Sequence, residues 1–280
     1  MKTTLNIDIP DVIERLMENN PKAEHHRHYC KYNTARIVAD AEFVAQHLDP
    51  SDKLLDVGAV PPLMAALLSE AGFKDLHIAD PYPAGFESYF DKAGIGFHKV
   101  NLLTDDCADL RDSFDFVCLN EVIEHLSGNL LEAVANVAKC CKVGGKFLVT
   151  TPNLRSLSGI AALLRYHSGL ASKPHDTVRE QYERETSQYG YYGHLREFTA
   201  NETIDFIQSF GFKHVATSMQ ANYLKRGNFF RYVSWAEKYF PKWRLFGKYL
   251  FEKLPEDAPI PPTSVQMRKG KRKRKKQQAS

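Results

Sequence analysis

Apolar runs of strand length alternate with helical stripes from residue 53 to about 218. Lys53–Gly58 is continuous in its apolar character and enters a turn at glycine, which predicts a buried strand. Leu63–Ala71 has helical character and is closed by Gly72. Asp75–Asp80 ("DLHIAD") predicts a second strand ending on an acid, Gly96–Leu102 a third, Phe114–Leu119 ("FDFVCL") a fourth and Lys146–Thr151 ("KFLVTT") a fifth. Between the last two, Leu131, Val134, Ala138 and Cys141 recur at helical spacing, with Gly144-Gly145 as the stop. Thr199 and Glu202 have the spacing of a capping box, which opens a helix with Ile204, Ile207 and Phe210 as its stripe and Gly211 as its end. A sixth strand is expected at His214–Ser218.

Near-continuous apolar strands alternating with helices predict a mostly parallel sheet covered on both faces. Ligands of such sheets sit at the carboxyl ends of the strands. That rule selects Gly58, Asp80, Asn101 and the run Asn120–His125 as candidate site residues. Three segments lie outside the alternation. Residues 1–45 predict a helical lead-in or lid. Residues 153–198 form an insertion after the fifth strand, part helical and then rich in tyrosine and charge. Residues 225–254 are aromatic and basic and are expected to be helical. The expected division is a lead-in (1–45), a main domain (46–267) and a basic tail (268–280).

The formal net charge of +3 conceals two unlike parts. "RKGKRKRKK" (Arg268 to Lys276) holds eight of the 37 basic residues; the other 29, set against 34 acids, leave the body near −5. The chain is a mildly acidic globule with a basic tail that is expected to be disordered. The tail's charge would attract anionic lipid, nucleic acid or polyanionic glycan. None of the five cysteines forms C-x-x-C, so no zinc or redox signature is present. No apolar leader opens the chain and no stretch reaches 18 apolar residues. The expected location is the cytoplasm, with the aromatic and basic segment suited to peripheral contact at the inner face of an anionic membrane.

An acid about 20 residues beyond a strand–glycine turn, here Asp80, suits the hydrogen bonding of a ribose diol; a helix cap or turn aspartate is the alternative. A helical turn starting at Asn120 would put Glu121, Glu124 and His125 on one face. Two carboxylates and an imidazole there could hold a divalent cation or supply a general base. The structural alternative is that Glu121 caps the turn, Glu124 faces water and His125 packs on the insertion. His25-His26-Arg27-His28 has no acid or cysteine at ligand spacing and is read as a solvated helix start or lid segment.

The elements "LLDVG", "IAD", "FDFVCLNEVIEHL", "KVGGKFLVTTPN" and "YGYYGHLREFTANETIDFIQSFGF" resemble, in order and spacing, class I S-adenosylmethionine-dependent methyltransferases. The branch they look most like includes ubiquinone-biosynthesis-type O-methyltransferases and bacterial methyltransferases of glycans and cell-surface polysaccharides. The resemblance covers residues 30 to 218. It implies an α/β, Rossmann-like seven-stranded sheet with one antiparallel strand, for which Thr263–Met267 is the candidate. It implies that Asp56, Gly58 and Ala59 lie against the cofactor's amino-acid part, that Asp80 holds the ribose, that Asn101 and Leu102 flank the adenine and that Asn120 and Glu121 stand near the sulfonium. Where that family commonly has G-x-G-x-G, this chain has Gly58-Ala59-Val60-Pro61-Pro62. Proline costs N–H donors and conformational freedom, but S-adenosylmethionine carries no phosphate, and proline suits a first helical turn.

Glu124 and His125 are the candidate general bases. Small-RNA 2′-O-methyltransferases resemble this chain in the E-x-x-E-H element and a later histidine, which implies a divalent metal such as Mg²⁺ on Glu121, Glu124, His125 and His194. His194 is otherwise a lid or packing histidine, with Arg196 and Glu197 paired to each other. The expected activity is O-methylation of a sugar hydroxyl or similar small or lipid-linked acceptor. The rivals are an RNA methyltransferase using the tail as its RNA arm and a binding protein that keeps the fold without the chemistry.

Overall fold

The computed structural model describes residues 5, 7–185, 193–221, 228–264 and 266. The elements run α1 (Ile9–Met17), α2 (Ala23–Ala45), β1 (Leu54–Val57), α3 (Leu63–Glu70), β2 (Leu76–Asp80), α4 (Glu87–Ala93), β3 (Gly96–Lys99), β4 (Phe114–Asn120), α5 (Leu130–Cys140) and β5 (Cys141–Pro152). They continue with α6 (Leu157–Tyr166), α7 (Val178–Glu185), α8 (Ala200–Gln208), β6 (Phe212–Gln220), α9 (Asn228–Glu237) and β7 (Phe246–Lys253). The seven strands form one sheet in the order β3-β2-β1-β4-β5-β7-β6. All neighbours are parallel except at β7, which runs antiparallel to both β5 and β6.

The central strands are buried on both faces, the edge strands β3 and β6 only in part, and the period of two divides the buried side chains between two cores. Phe116 and Cys118 of β4 join Leu54, Ile78 and Leu148 beneath α1 to α4. Val117 and Leu119 join Leu55, Val149, Tyr249 and Phe251 on the opposite face, against α5 and residues of α8. Thr199 caps α8 in the capping box that the sequence predicts.

Several expectations need correction. The antiparallel strand is Phe246–Lys253, inside the aromatic segment expected to be helical; among the described residues of that segment, only Asn228–Glu237 and a short turn at Pro241–Trp243 are helical. Thr263–Met267 belongs to no strand among its described residues. β5 begins at Cys141, so Gly144 and Gly145 lie within an irregular strand entry rather than at a helix end. His26 is buried against the Phe86 ring, 4.9 Å between centroids, and is not solvated. The basic tail, residues 268–280, lies outside the described residues. Among those described, no helix is long and apolar enough to cross a membrane.

Candidate functional site

The carboxyl edge of the sheet has two halves. The first is built by β1, β2 and the turn between β1 and α3. Gly58 ends β1 with φ +70° and donates its N–H to Ala79 O at 2.8 Å. A Cβ there would meet Val122 Cγ2 at 2.7 Å, so both backbone conformation and space require glycine. The turn passes a cis Val60–Pro61 bond, and Pro62 occupies the N-cap of α3. Val60 and Tyr82 both donate N–H groups to the Asp80 carboxylate, the latter at 3.0 Å. Burial nevertheless pushes Asp80 up to about 6, the two hydrogen bonds opposing it. The proline turn therefore directs its remaining donor at the acid that the sequence marks for a ribose.

Asp56 is buried one residue before the end of β1, and burial pushes its carboxyl up to about 8. It accepts Nδ2–H of Asn120 at 3.2 Å; Asn120 Oδ1 is buried without a hydrogen-bond partner. Between these residues and α2 lies a cavity of about 50 Å³, walled by Tyr29, Arg36, Ile37 and Asp40 on the helix side and by Asp56, Gly58–Pro61, Met64 and Asn120 on the sheet side. A pocket enclosing a drug-sized ligand usually needs ~300–1,000 Å³, so α2 closes this cleft. Asp80, Asn101 and Leu102 lie along the same edge but outside the cavity walls. Asn101 forms a turn beyond β3, its Oδ1 accepting Leu103 N–H at 3.1 Å and its N–H bonding Asp105 at 2.8 Å.

The charges of α2 were not among the candidate site residues, although Arg36 and Asp40 stand at i,i+4. Arg36 reaches Asp40 (3.4 Å) and Tyr29 Oη (3.4 Å), and Asp40 also pairs with Lys248 of β7. Lys248 in turn donates to Gln220 at 3.3 Å. These buried groups tie the lead-in helix to the antiparallel strand.

The second half lies beyond β4. Glu121 sits at φ +54° and accepts Thr150 Oγ1–H at 3.2 Å. Burial raises its carboxyl to about 7, with Arg36 opposing. A short 3₁₀ turn, Ile123–His125, follows. The kink at Glu121 defeats the expected shared helical face. Glu124, His125 and His194 come together with one ligand atom from each within 4.8 Å of the others, and Glu121 is not among them. The insertion is pinned to this turn by Leu195 N–H on Glu124 O, 2.8 Å.

Each member of the trio is oriented by a neighbour. His125 Nδ1 donates to Gly193 O at 2.7 Å. His194 Nδ1 donates to Glu197 Oε1 at 2.9 Å. Glu124 Oε2 accepts Thr151 Oγ1–H at 3.1 Å, while its buried Oε1 has no hydrogen-bond partner. The Nε2 atoms are thus the ring nitrogens that these contacts leave over, and the rings stand 4.5 Å apart at 88°. Burial, and then the adjoining His194, hold His125 well below the ordinary histidine value, and burial lowers His194 too, so both are neutral imidazoles. Burial, then Glu121, pushes Glu124 well above the carboxylate range.

Glu197 carries a role that the sequence reading assigned elsewhere. It does not pair with Arg196, which bonds Glu202 at 2.8 Å and lies over the Phe198 ring. Burial works to raise Glu197, but hydrogen bonds from His194 and Ser172 outweigh it and keep the carboxyl ionised. The His-x-x-Glu spacing of 194 and 197 was the available signal.

The sheet order with its single antiparallel strand and ligand residues at the carboxyl edge define a Rossmann-like methyltransferase architecture. The methyltransferase-domain family matches residues 22–217, and the chain belongs to it. Solved structures similar in fold include an S-adenosylmethionine-dependent methyltransferase of Thermotoga maritima, at 14% identity over 88% of this chain and 100% of that one, with a TM-score of 0.53. A second, from Methanosarcina mazei, shares 14% identity over 76% of this chain and 98% of that one, TM-score 0.53. A third is the 1,6-didemethyltoxoflavin-N1-methyltransferase of Burkholderia thailandensis, holding 1,6-didemethyltoxoflavin and S-adenosylhomocysteine, at 13% identity over 91% of this chain and 94% of that one, TM-score 0.53. No curated protein matches the chain.

Proposed function

We propose that this methyltransferase takes its methyl group from S-adenosylmethionine and transfers it to a hydroxyl of a sugar or similar small or lipid-linked acceptor, with a divalent cation beside the acceptor. The observation that carries the reading is the buried, unpartnered Glu124 Oε1 next to two neutral, pre-oriented histidines. An orphaned buried carboxylate oxygen is costly unless a ligand completes it.

In the donor half, Asp80 holds the ribose hydroxyls, and Asn101 with Leu102 flanks the adenine. Gly58 and Ala59 lie along the amino-acid part, whose carboxylate meets Arg36. Asp56 fixes Asn120, and Asn120 and Glu121 face the sulfonium. The cofactor enters when α2 lifts from the cleft. Transfer from a sulfonium is an in-line displacement in which positioning does most of the work.

In the acceptor half, Glu124, His125 and His194 fit a divalent cation: one carboxylate, two neutral imidazoles and a carboxylate–histidine pair at Glu197 behind one of them. Two nitrogen donors favour Mn²⁺ or another first-row ion over Mg²⁺. A cation there would lower the pKa of the acceptor hydroxyl. Without one, His125 is the general base, kept neutral by its burial.

The test is transfer of radiolabelled methyl from S-adenosylmethionine to a glycolipid and polysaccharide extract, against total RNA. Labelled glycan or lipid, lost in chelator and restored by Mn²⁺, is the expected result. Full activity in chelator would remove the cation and leave His125 as base. Labelled RNA alone would replace the acceptor class, and failure to bind S-adenosylhomocysteine at millimolar concentration would leave only a binding protein.

A further inference from the structure

Two helices on the flank of the sheet are amphipathic in reverse. α6 turns Ser158, Gly159 and Ala162 inward. It approaches so closely that a Cβ on Gly159 would lie 2.0 Å from Leu154 O. Its large side chains point outward: Leu163 is 57% and Leu164 74% exposed. α9 packs beside it and buries Phe230 while exposing Phe229, Tyr232 and Trp235. Tyr239, Phe240 and Trp243 continue the exposed run beyond α9. Ordinary solvated helices do the opposite. A contiguous apolar patch of this kind marks an interaction surface.

The patch is not a loose flap. Glu237, at the end of α9, is fully buried and accepts Ser158 N–H at 3.0 Å and Ser158 Oγ–H at 2.7 Å, where α6 begins. Its second oxygen accepts Leu245 N–H at 3.2 Å, just before β7. Between the two helices runs an apolar groove of about 520 Å³, lined by Ile160, Leu164, Phe229 and Val233 among others, with Arg165 at its edge.

The segments that form the groove are rich in cations and poor in acids. Residues 153–175 contain no aspartate or glutamate, and the one acid in 221–251 is the buried Glu237. Arg165, Arg231, Lys238 and Lys242 are all exposed there. The body as a whole carries more acids than bases once the tail is set aside, so this clustering is local. Aromatic side chains interleaved with cations around an apolar groove match the boundary between headgroups and acyl chains of an anionic bilayer.

We infer that the α6–α9 face docks on an anionic lipid bilayer, with the groove taking an acyl chain and the surrounding cations the lipid phosphates. The face adjoins the acceptor half of the site. α6 follows the carboxyl end of β5, and Ala171 and Ser172 just beyond it donate N–H groups to Glu197, the partner of His194. Docking therefore brings the acceptor site to the membrane surface, where a lipid-linked hydroxyl would be presented. The docking itself does not depend on methyl transfer and is measured without it.

The chain's two tryptophans, Trp235 on α9 and Trp243 in the turn that follows it, are both exposed and report on the surroundings of α9. The full-length protein is titrated with phosphatidylglycerol–phosphatidylcholine vesicles at ~0.1 M salt, where the charges of the face still act over ~10 Å, and is compared with a double variant of the face that keeps the basic tail. The expected result is a blue shift of tryptophan emission and co-sedimentation with vesicles. Binding should fall roughly tenfold or more in Leu164→Glu/Tyr232→Glu, whose exposed positions leave the melting temperature unchanged. Binding should also weaken on pure phosphatidylcholine. Absence of binding, binding that the double variant does not weaken, or equal binding to neutral vesicles would each overturn the proposal. So would a dimer in light scattering that the double variant dissociates, since the face would then be covered by a second copy.

Discussion

The donor and acceptor halves of the carboxyl edge are built in different ways. The donor half comes from consecutive strands and their turns. Its carboxylates are held by near neighbours, Asp80 by Val60 and Tyr82 and Asp56 by Asn120, although Asn120 Oδ1 itself is buried without a partner. The acceptor half is assembled across the chain, with Glu124 and His125 on one side and His194 and Glu197 on the insertion, and it leaves a buried carboxylate oxygen unmatched. Local assembly gives a preformed cleft that a helix can cover. Long-range assembly gives a site whose geometry depends on the insertion staying docked.

The sharpest way to break this comparison is Asp80→Ala. Loss of two charge-assisted hydrogen bonds to a ribose, each worth about 1.5–3 kcal/mol, should weaken S-adenosylhomocysteine binding by about 10²–10⁴-fold in calorimetry. Cation binding in the other half should be unchanged. The converse variant is Glu197→Gln. It removes the negative partner of His194 and should lower Mn²⁺ affinity about 10–100-fold while sparing cofactor affinity. Should either variant impair both ligands alike, the halves are one cooperative unit rather than two.

A smaller effect is expected at Gly58. Alanine there is strained by the positive φ and meets Val122, so a loss of about 1–3 kcal/mol in denaturant unfolding is expected. Pairing it with Val122→Ala should recover the steric part alone.

The smallest is a pH effect. Asp56 is raised from the ordinary 3.8 to about 8. The native state therefore binds the extra proton between those values, and stability falls as pH rises through that window. Asp56→Asn keeps the acceptor for Asn120 and removes the charge. It should raise stability above pH 8, where Asp56 is ionised against its burial, and leave it nearly unchanged near pH 4. Equal effects at both ends would show that Asp56 ionises freely.

The strand ends and the glycine turn of the proposed donor half were legible because their signals are local. An apolar run, a glycine and an acid at the next strand end require no knowledge of distant contacts. The prolines are compatible with the turn, since Val60 still supplies one of the two N–H groups that Asp80 accepts and Pro62 serves as the helix cap. The last strand was misplaced for a physical reason. Phe246–Lys253 is buried on both faces between two strands, so it lacks alternation, and its buried Lys248 resembles a surface charge until Asp40 on α2 is seen beside it. The acceptor half was half legible. Glu124, His125 and His194 do come together, but the i,i+3 and i,i+4 spacing assumed a helix where Glu121 makes a left-handed kink and leaves the group. Glu197 had a local signal in its i,i+3 spacing from His194, whereas only tertiary packing brings Ser172 there.

The most direct test of a cation-assisted acceptor half is the titration of Mn²⁺ into the full-length protein, followed by electron paramagnetic resonance. One saturable site is expected, lost in both Glu124→Gln and His194→Ala, with S-adenosylhomocysteine affinity retained in each. No saturable binding, or binding that survives both substitutions, would contradict the account.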